Sequence, residues 1–349
     1  MNLNNGILAI DVGSGTQDIL VWRSGQRVEN CPKLILPSPT TIIARQVKEA
    51  TKKEHHLFLT GHTMGGGAST KAVREHIKAG LSVFALKQPA LTFHDQIDKV
   101  VAMGIDVVTE KPSVTPLTQL EMGDLNLPTI RMALELFHEP MPETVAVAVQ
   151  DHGFSPNMSN RVFRFEQWKK LLESGQSLAS LLYDPPPGYL TRMKAVSDIN
   201  PGTLLMDTGA SAIVGALMDP WVAEESRKGV IVLNIGNEHI LAALVKNDKV
   251  WGVYEHHTSL MTPEKLMAHL ERLRNEDLPN QEILDEMGHG CHVLPGARKQ
   301  SPFSAVGITG PNRENFARLN GHMAAPFGDM MLTGCFGLVK AVQKKMDPS

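Results

Sequence analysis

Two stretches of the chain set apolar and polar positions in the same order. From Ile7 to Val28 the sequence reads ILAIDVGSGTQDILVWRSGQRV, and from Val230 to Val250 it reads VIVLNIGNEHILAALVKNDKV. Each runs from an apolar strand through an Asp or Asn and a Gly-containing turn into a second apolar strand. A polar two-residue turn and a closing strand follow, so both stretches predict a meander of antiparallel hairpins. In the first copy the strands fall at Gly6 to Val12 and Asp18 to Trp22, around a turn at Gly13 to Thr16, with a second turn at Ser24-Gly25. The second copy is one residue shorter and carries Asn234 where the first has Asp11.

Between the copies the period changes. Short apolar runs at Leu57 to Gly61, Leu81 to Leu86, Ile105 to Val108 and Thr144 to Asp151 alternate with helical patterns at Ala68 to Ala79, Phe93 to Met103 and Thr129 to Phe137. Strand and helix alternating at this spacing predict a largely parallel, doubly wound sheet. Residues 154–200 read as an irregular insertion or lid, with an amphipathic stretch near Glu166 to Leu182 and the breaker run DPPPG. A buried strand then ends in DTGAS (Asp207 to Ser211). Beyond the second hairpin the pattern predicts a helix at Pro263 to Arg274, a His/Gly-rich loop at Met287 to Val293, a strand at Ala305 to Thr309 and a last helix from about Asp329 to Lys345.

A chain of 349 residues exceeds what one core usually supports, which predicts two lobes. The first spans 1–225 with the N-terminal hairpin and the insertion near 154–200; the second spans 226–349, its C-terminal helix returning toward the first. A net charge of −3 gives no basic footprint for nucleic acid. The absence of an apolar run of about 18 residues speaks against a membrane span, and MNLNNGILAIDVG does not read as a signal peptide, so the expected compartment is the cytoplasm.

Small residues in a turn expose successive backbone N–H groups, which together form a concave site for phosphate oxygens. Gly13, Ser14, Gly15 and Thr16 fit this in the first copy, and Asn234, Gly236, Asn237 and His239 are their counterparts in the second. Asp11, at the end of the preceding strand, is placed to orient Mg²⁺, usually through waters. A further carboxylate, Asp18 or Asp207, is the candidate to activate water or an acceptor.

Three segments, DHGFSPN, EHHT and DEMGHGCH, place His beside a carboxylate or Gly. Glu255, His256 and His257 leave the sheet near the expected cleft and are candidate substrate contacts. A set comprising His152, His239, His256, His257, His289 and His292 has the chemistry to bind a metal or shuttle a proton, though no HExxH or HxxxH spacing occurs and a lone His is more often a core hydrogen-bonder. GHTMGGGAST lacks the GK[ST] of a Walker loop and reads as a connection into a helix capped by Ser69 or Thr70.

The DxGxGTxD hairpin near the N-terminus, followed by a second phosphate-type hairpin at mid-chain, resembles the superfamily of actin, the sugar kinases and the heat-shock chaperone ATPases. That superfamily's adenosine motif is matched loosely by AVGITGPNR, with Gly307 and Gly310, and its small-residue connecting helix by DMMLTGCFGLVKA. The combination of DVGSGTQD, NIGNEH, EHHT and GHGCH is more closely similar to a largely archaeal family, within or near that superfamily, named for pyruvate formate-lyase activation. The resemblance implies an α/β, two-lobed actin-like ATPase (ribonuclease H-like) fold with duplicated phosphate-binding β-hairpins. It also implies ATP and Mg²⁺ as cofactors, with hydrolysis or phosphotransfer to a small acceptor, and adds Gly310 to the nucleotide contacts. Asn234 departs from the superfamily's acidic residue, a charge that Asp207 is positioned in sequence to replace.

Two alternatives stand beside this reading: a nucleotide sensor or activator of another enzyme, and a metal-dependent hydrolase built on the His/Asp-rich loops. The partners admitted are a small-molecule acceptor, a partner enzyme, or a second copy in a homodimer. Radical-SAM chemistry does not fit, because Cys31, Cys291 and Cys335 form no closely spaced cluster motif.

Overall fold

The computed structural model of the chain describes residues 5–347. Ile7–Val12 (β1), Thr16–Trp22 (β2) and Lys33–Pro37 (β3) pair antiparallel in chain order. Every residue of β1 except Asp11 is buried, as expected for an apolar strand with neighbours on both edges.

The alternating segment that follows does not join this sheet. His56–Gly61 (β4), Val83–Ala85 (β5), Ile105–Val107 (β6) and Leu117–Met122 (β7) build a separate parallel sheet in the order β6-β5-β4-β7. The helices Pro39–Lys52 and Gly67–Lys78 close an independent core over it, including Ile43, Val47, Leu59, Val73 and Val83. The expectation of one doubly wound sheet is therefore corrected. Thr144–Val149 (β8), buried at every position, takes the parallel edge of β1 instead, and Leu204–Asp207 (β9) extends it. Neither β7 nor the Pro39–Lys52 helix was anticipated. That helix starts on Ser38, whose side chain accepts from the Thr41 N–H, with Pro39 at the first position.

Residues 154–200 are more ordered than expected: they hold the helices Asn160–Ser174, capped by Ser159 and ended by a left-handed Gly175, and Thr191–Ile199. Val230–Ile235 (β10), His239–Lys246 (β11) and Lys249–His257 (β12) form the second meander. Gly290–Val293 (β13) pairs beyond β12, so the predicted His/Gly loop ends as a strand. Ala305–Thr309 (β14) lies parallel to β10, and His322–Met323 (β15) parallel to β14.

The first sheet has the order β3-β2-β1-β8-β9, and the second contains β12-β11-β10-β14-β15, the same order with the same strand senses. This duplicated topology is the ribonuclease H-like, actin-like α/β fold. The two hairpins match residue for residue: Asp11 pairs with Asp18 and Asn234 with Leu241, and each turn closes with one bond, Gly13 N–H to Thr16 O at 2.9 Å and Gly236 N–H to His239 O at 2.8 Å. The copies differ further on, where a 3₁₀ turn at Val28–Asn30 precedes β3 while only Asn247 and Asp248 separate β11 from β12.

The helices Thr208–Ala216 and Thr333–Met346 contribute Ile213, Ala216, Leu338 and Val342 to a core shared with both sheets. They cross at glycines: a Cβ on Gly215 would stand 1.8 Å from the Thr333 carbonyl oxygen, and one on Gly337 would stand 1.8 Å from that of Ser211. Among the described residues no helix is long and apolar enough to cross a membrane.

Candidate functional site

A cleft of about 1020 Å³ lies between the two meanders. Both hairpin turns reach it and meet there, for a Cβ on Gly15 would stand 2.6 Å from Asn237 Nδ2. Each turn is held from behind by its carbonyls. Ser38 donates from Oγ to Ser14 O at 2.8 Å and from N–H to Gly15 O at 3.1 Å. In the second copy Thr258 Oγ1 donates to Gly236 O at 2.8 Å, joined by Asn312 Nδ2 at 3.0 Å. In a trans peptide the N–H points opposite to the preceding C=O, so the Gly15 and Asn237 amides face away from these anchors. Among the described residues the N–H groups of Ser14, Gly15, Asn237 and Glu238 make no intramolecular hydrogen bond.

Below the first turn, the register pair Asp11 and Asp18 brings two carboxylates together. Asp11 Oδ1 accepts from Thr208 Oγ1 at 2.6 Å, and Oδ2 sits against Gly334, where a Cβ would come within 1.9 Å. Asp18 is buried, and its Oδ1 has no partner among the described residues. Burial pushes the Asp11 carboxyl up to about 7, with the Thr208 hydroxyl opposing. Burial and then the Asp11 charge push Asp18 up to about 8. Two unneutralised carboxylates in apolar surroundings resist a second negative charge until a proton or cation arrives.

Asp207 is differently occupied. Its Oδ1 caps the Thr208–Ala216 helix through the Gly209 and Ala210 N–H groups, and both its oxygens accept from Arg164, at 2.7 and 3.2 Å. The same guanidinium donates from Nε to Glu255 Oε2 at 2.7 Å, while Gln150 Nε2 donates to Oε1 at 3.3 Å. Burial alone would raise Glu255, but Arg164 and His289 hold it well below the usual carboxylate range. Thus a buried Asp207–Arg164–Glu255 triad joins the end of β9 in the first sheet to β12 in the second.

Four imidazoles gather beside Glu255. His239 opens β11, its register partner His257 ends β12, His289 precedes β13, and His152 arrives from the segment after β8. His152 Nε2 and His289 Nε2 are 3.1 Å apart, and the His239 ring centroid lies 4.7 Å from that of His289 and 5.7 Å from that of His152. Burial lowers all four, His239 to about 4 and His289 to about 3, with Glu255 opposing in each.

The structure therefore brings Asp11, Gly13, Ser14, Thr16, Asp18, Asn234, Gly236, Asn237, His239, Glu255 and Gly310 to one cleft. Gly310, with φ +99°, lies against Asn234 Oδ1. Gly15 meets Asn237, and His257 packs on His239. Two candidates sit elsewhere than expected. Asp207 lies under the cleft with its oxygens bound to Arg164 and the helix cap, so it is not free to replace the missing charge at Asn234. His256, fully buried, points to the other face of β12, toward Tyr254, His269 and Glu286, because neighbouring strand residues alternate faces. His292 likewise stands apart, near Glu173.

Sequence reasoning missed Arg164, Thr208 and Gln150; a buried arginine on a helix carries no local signature. Neither Ser69 nor Thr70 caps the Gly67–Lys78 helix, which starts after Gly66 with no side-chain cap; Ser69 sits inside its first turn, bonded to Thr40. The three thiols are separately buried, Cys335 donating to Ala9 O and Asp18 O and Cys291 to Leu278 O, and burial pushes both of these thiols up. They form no cluster site.

Residues 64–315 match the family described as "Putative pyruvate format-lyase activating enzyme (DUF1786)". No protein with a curated description matches the chain. Solved structures similar in chain course include the ethanolamine utilization protein EutJ from Carboxydothermus hydrogenoformans, at 11% identity and TM-score 0.32, covering 95% of this chain and 88% of that one. The activator of 2-hydroxyisocaproyl-CoA dehydratase from Clostridium difficile, with bound ADPNP, is 9% identical at TM-score 0.33, covering 98% and 97%. Lmo2764 from Listeria monocytogenes, described as "a putative N-acetylmannosamine kinase", is 10% identical at TM-score 0.35, covering 98% and 100%. At these scores the likenesses lend no weight to a function.

Proposed function

We propose that this chain, which belongs to the DUF1786 family, binds a magnesium nucleotide such as ATP between its two meanders and hydrolyses it or passes its terminal phosphoryl group to a small acceptor. The observation that carries the reading is the pair of equivalent turns meeting at Gly15 and Asn237, with four backbone N–H groups unbonded, above the Asp11/Asp18 pair. Opposed amides with no protein partner are suited to polyphosphate oxygens, and they need no reorganisation to hold charge.

The donor set fits Mg²⁺. It takes oxygen ligands, and here the half-buried Asp11 and the buried Asp18 carboxyls share one face while one Asp18 oxygen lacks a partner. Asp11 would hold the ion, which when bound neutralises phosphate charge. Asp18, its carboxyl pushed up to about 8, is placed to take a proton from water or an acceptor hydroxyl near neutral pH. Gly310, beside Asn234, would approach the nucleoside side, and Glu255 and His257 the acceptor side.

With Asn234 and Leu241 the second hairpin has no acid at the positions that match Asp11 and Asp18, which favours slow turnover and keeps a nucleotide-sensing activator as the second reading. Thermal unfolding with Mg·ATP tests binding: at 100 times Kd the ligand should add about 2.7 kcal/mol. The expected shift disappears in Asp11→Asn. Phosphate release by the wild type then supports turnover, and a shift without release supports the sensor. No shift with any nucleotide would sink both.

A further inference from the structure

We infer that His152, His239 and His289 form a transition-metal site, with Zn²⁺ the ion suited to its ligands, at the inner wall of the cleft. One nitrogen from each ring lies within 4.8 Å of the others, and His152 Nε2 is 3.1 Å from His289 Nε2. Imidazole nitrogens at 2.0–2.1 Å around a tetrahedral ion stand about 3.3 Å apart, so small rotations of the three rings complete the geometry. The ligands come from both sides: His152 follows β8 of the first sheet, while His239 and His289 flank β12 in the second. An ion there would tie the two sheets together across the cleft.

A second observation concerns hydrogen bonding. His239 Nε2 is buried with no partner among the described residues, while the 1% exposed His289 turns its Nε2 toward His152. A hydrogen bond between His152 and His289 satisfies one nitrogen on each but leaves His239 unpaired. Buried imidazole nitrogens without partners are costly, and a metal ion consumes such a lone pair.

Charge supports the same assignment. Arg164 against Asp207 and Glu255 leaves the triad one net negative charge beside the rings. Burial keeps the histidines neutral, the form that ligates. Three imidazoles prefer a first-row transition ion to Mg²⁺ or Ca²⁺, which take oxygen ligands. His152 and His239 line the cleft, so a further coordination position would face it, open to water or a ligand oxygen.

The test uses the full chain, stripped with a chelator and titrated with Zn²⁺ alone, then with Co²⁺ as a spectroscopic probe. One equivalent is expected, with intense visible Co²⁺ bands of four-coordinate geometry. Affinity should fall at least about 100-fold in His152→Ala and in His239→Ala and stay unchanged in His138→Asn. The stoichiometry and the Co²⁺ spectrum need only wild-type protein, so they decide even if a variant fails to fold. Substoichiometric binding, weak Co²⁺ bands of six-coordinate geometry, or equal affinity in the variants overturns the site. No nucleotide enters the assay, so its outcome is separate from that of the nucleotide reading.

Discussion

Asp11 and Asp18 are cross-strand partners in the first hairpin, while the matching pair in the second, Asn234 and Leu241, carries no charge. The duplication is thus one of backbone geometry and not of chemistry. The paired carboxyls suited to a cation therefore belong to the first hairpin alone.

The carboxyl pair makes stability and Mg²⁺ affinity move in opposite directions with pH. Unfolded, each carboxyl titrates near 3.8; folded, Asp11 and Asp18 are raised to about 7 and 8. The folded chain then binds more protons over that interval, so their stabilising contribution is full below pH 3.8 and is lost as pH rises through 7 and 8. Asp18→Asn should stabilise the metal-free protein at pH 8 by on the order of 2 kcal/mol and flatten its pH dependence. Mg²⁺ affinity of the wild type should rise from pH 6 to 8. Urea melts and Mg²⁺ titrations at both pH values check this, and a pH-independent affinity would contradict it.

Arg164 serves two buried carboxylates at once. Arg164→Met leaves Asp207 and Glu255 without a countercharge in a dry setting, and a cost of about 3–5 kcal/mol is expected. Denaturant unfolding measures it. A loss under about 1 kcal/mol would mean that water reaches the triad.

Gly337→Ala should be poorly tolerated. The new methyl would meet a backbone oxygen at 1.8 Å, which cannot rotate away, so the Thr208–Ala216 and Thr333–Met346 helices must separate. A loss of at least about 2 kcal/mol is expected from overpacking, read as a lowered melting temperature.

Gly15→Ala makes the opposite case. Its new methyl meets the Asn237 amide group at 2.6 Å, the end of a side chain able to swing aside. Stability should change by less than about 1 kcal/mol, while Mg·ATP affinity falls several-fold because the methyl and the displaced Asn237 side chain crowd the place where the two turns meet. Calorimetric titration beside a thermal melt separates the two effects; an unchanged affinity would argue against a nucleotide gripped by both turns.

The sequence by itself determined both hairpins, their turns and the strand-end position of Asp11. A hairpin closes over a few residues, so alternation and turn chemistry specify it locally. It also located the Pro263–Arg274 helix and β14, where pattern and length agree. Only the tertiary structure decided that β8 and not β4 pairs with β1, since any apolar strand satisfies the same pattern and the choice rests on which core each buries. It likewise decided which histidines meet. Glu255 and His256 are adjacent in sequence yet face opposite sides of β12, and His152 finds His289 137 residues away. Arg164 reaches Glu255 across 91 residues. Contacts of that range arise from the stacking of whole sheets, and no local periodicity encodes them.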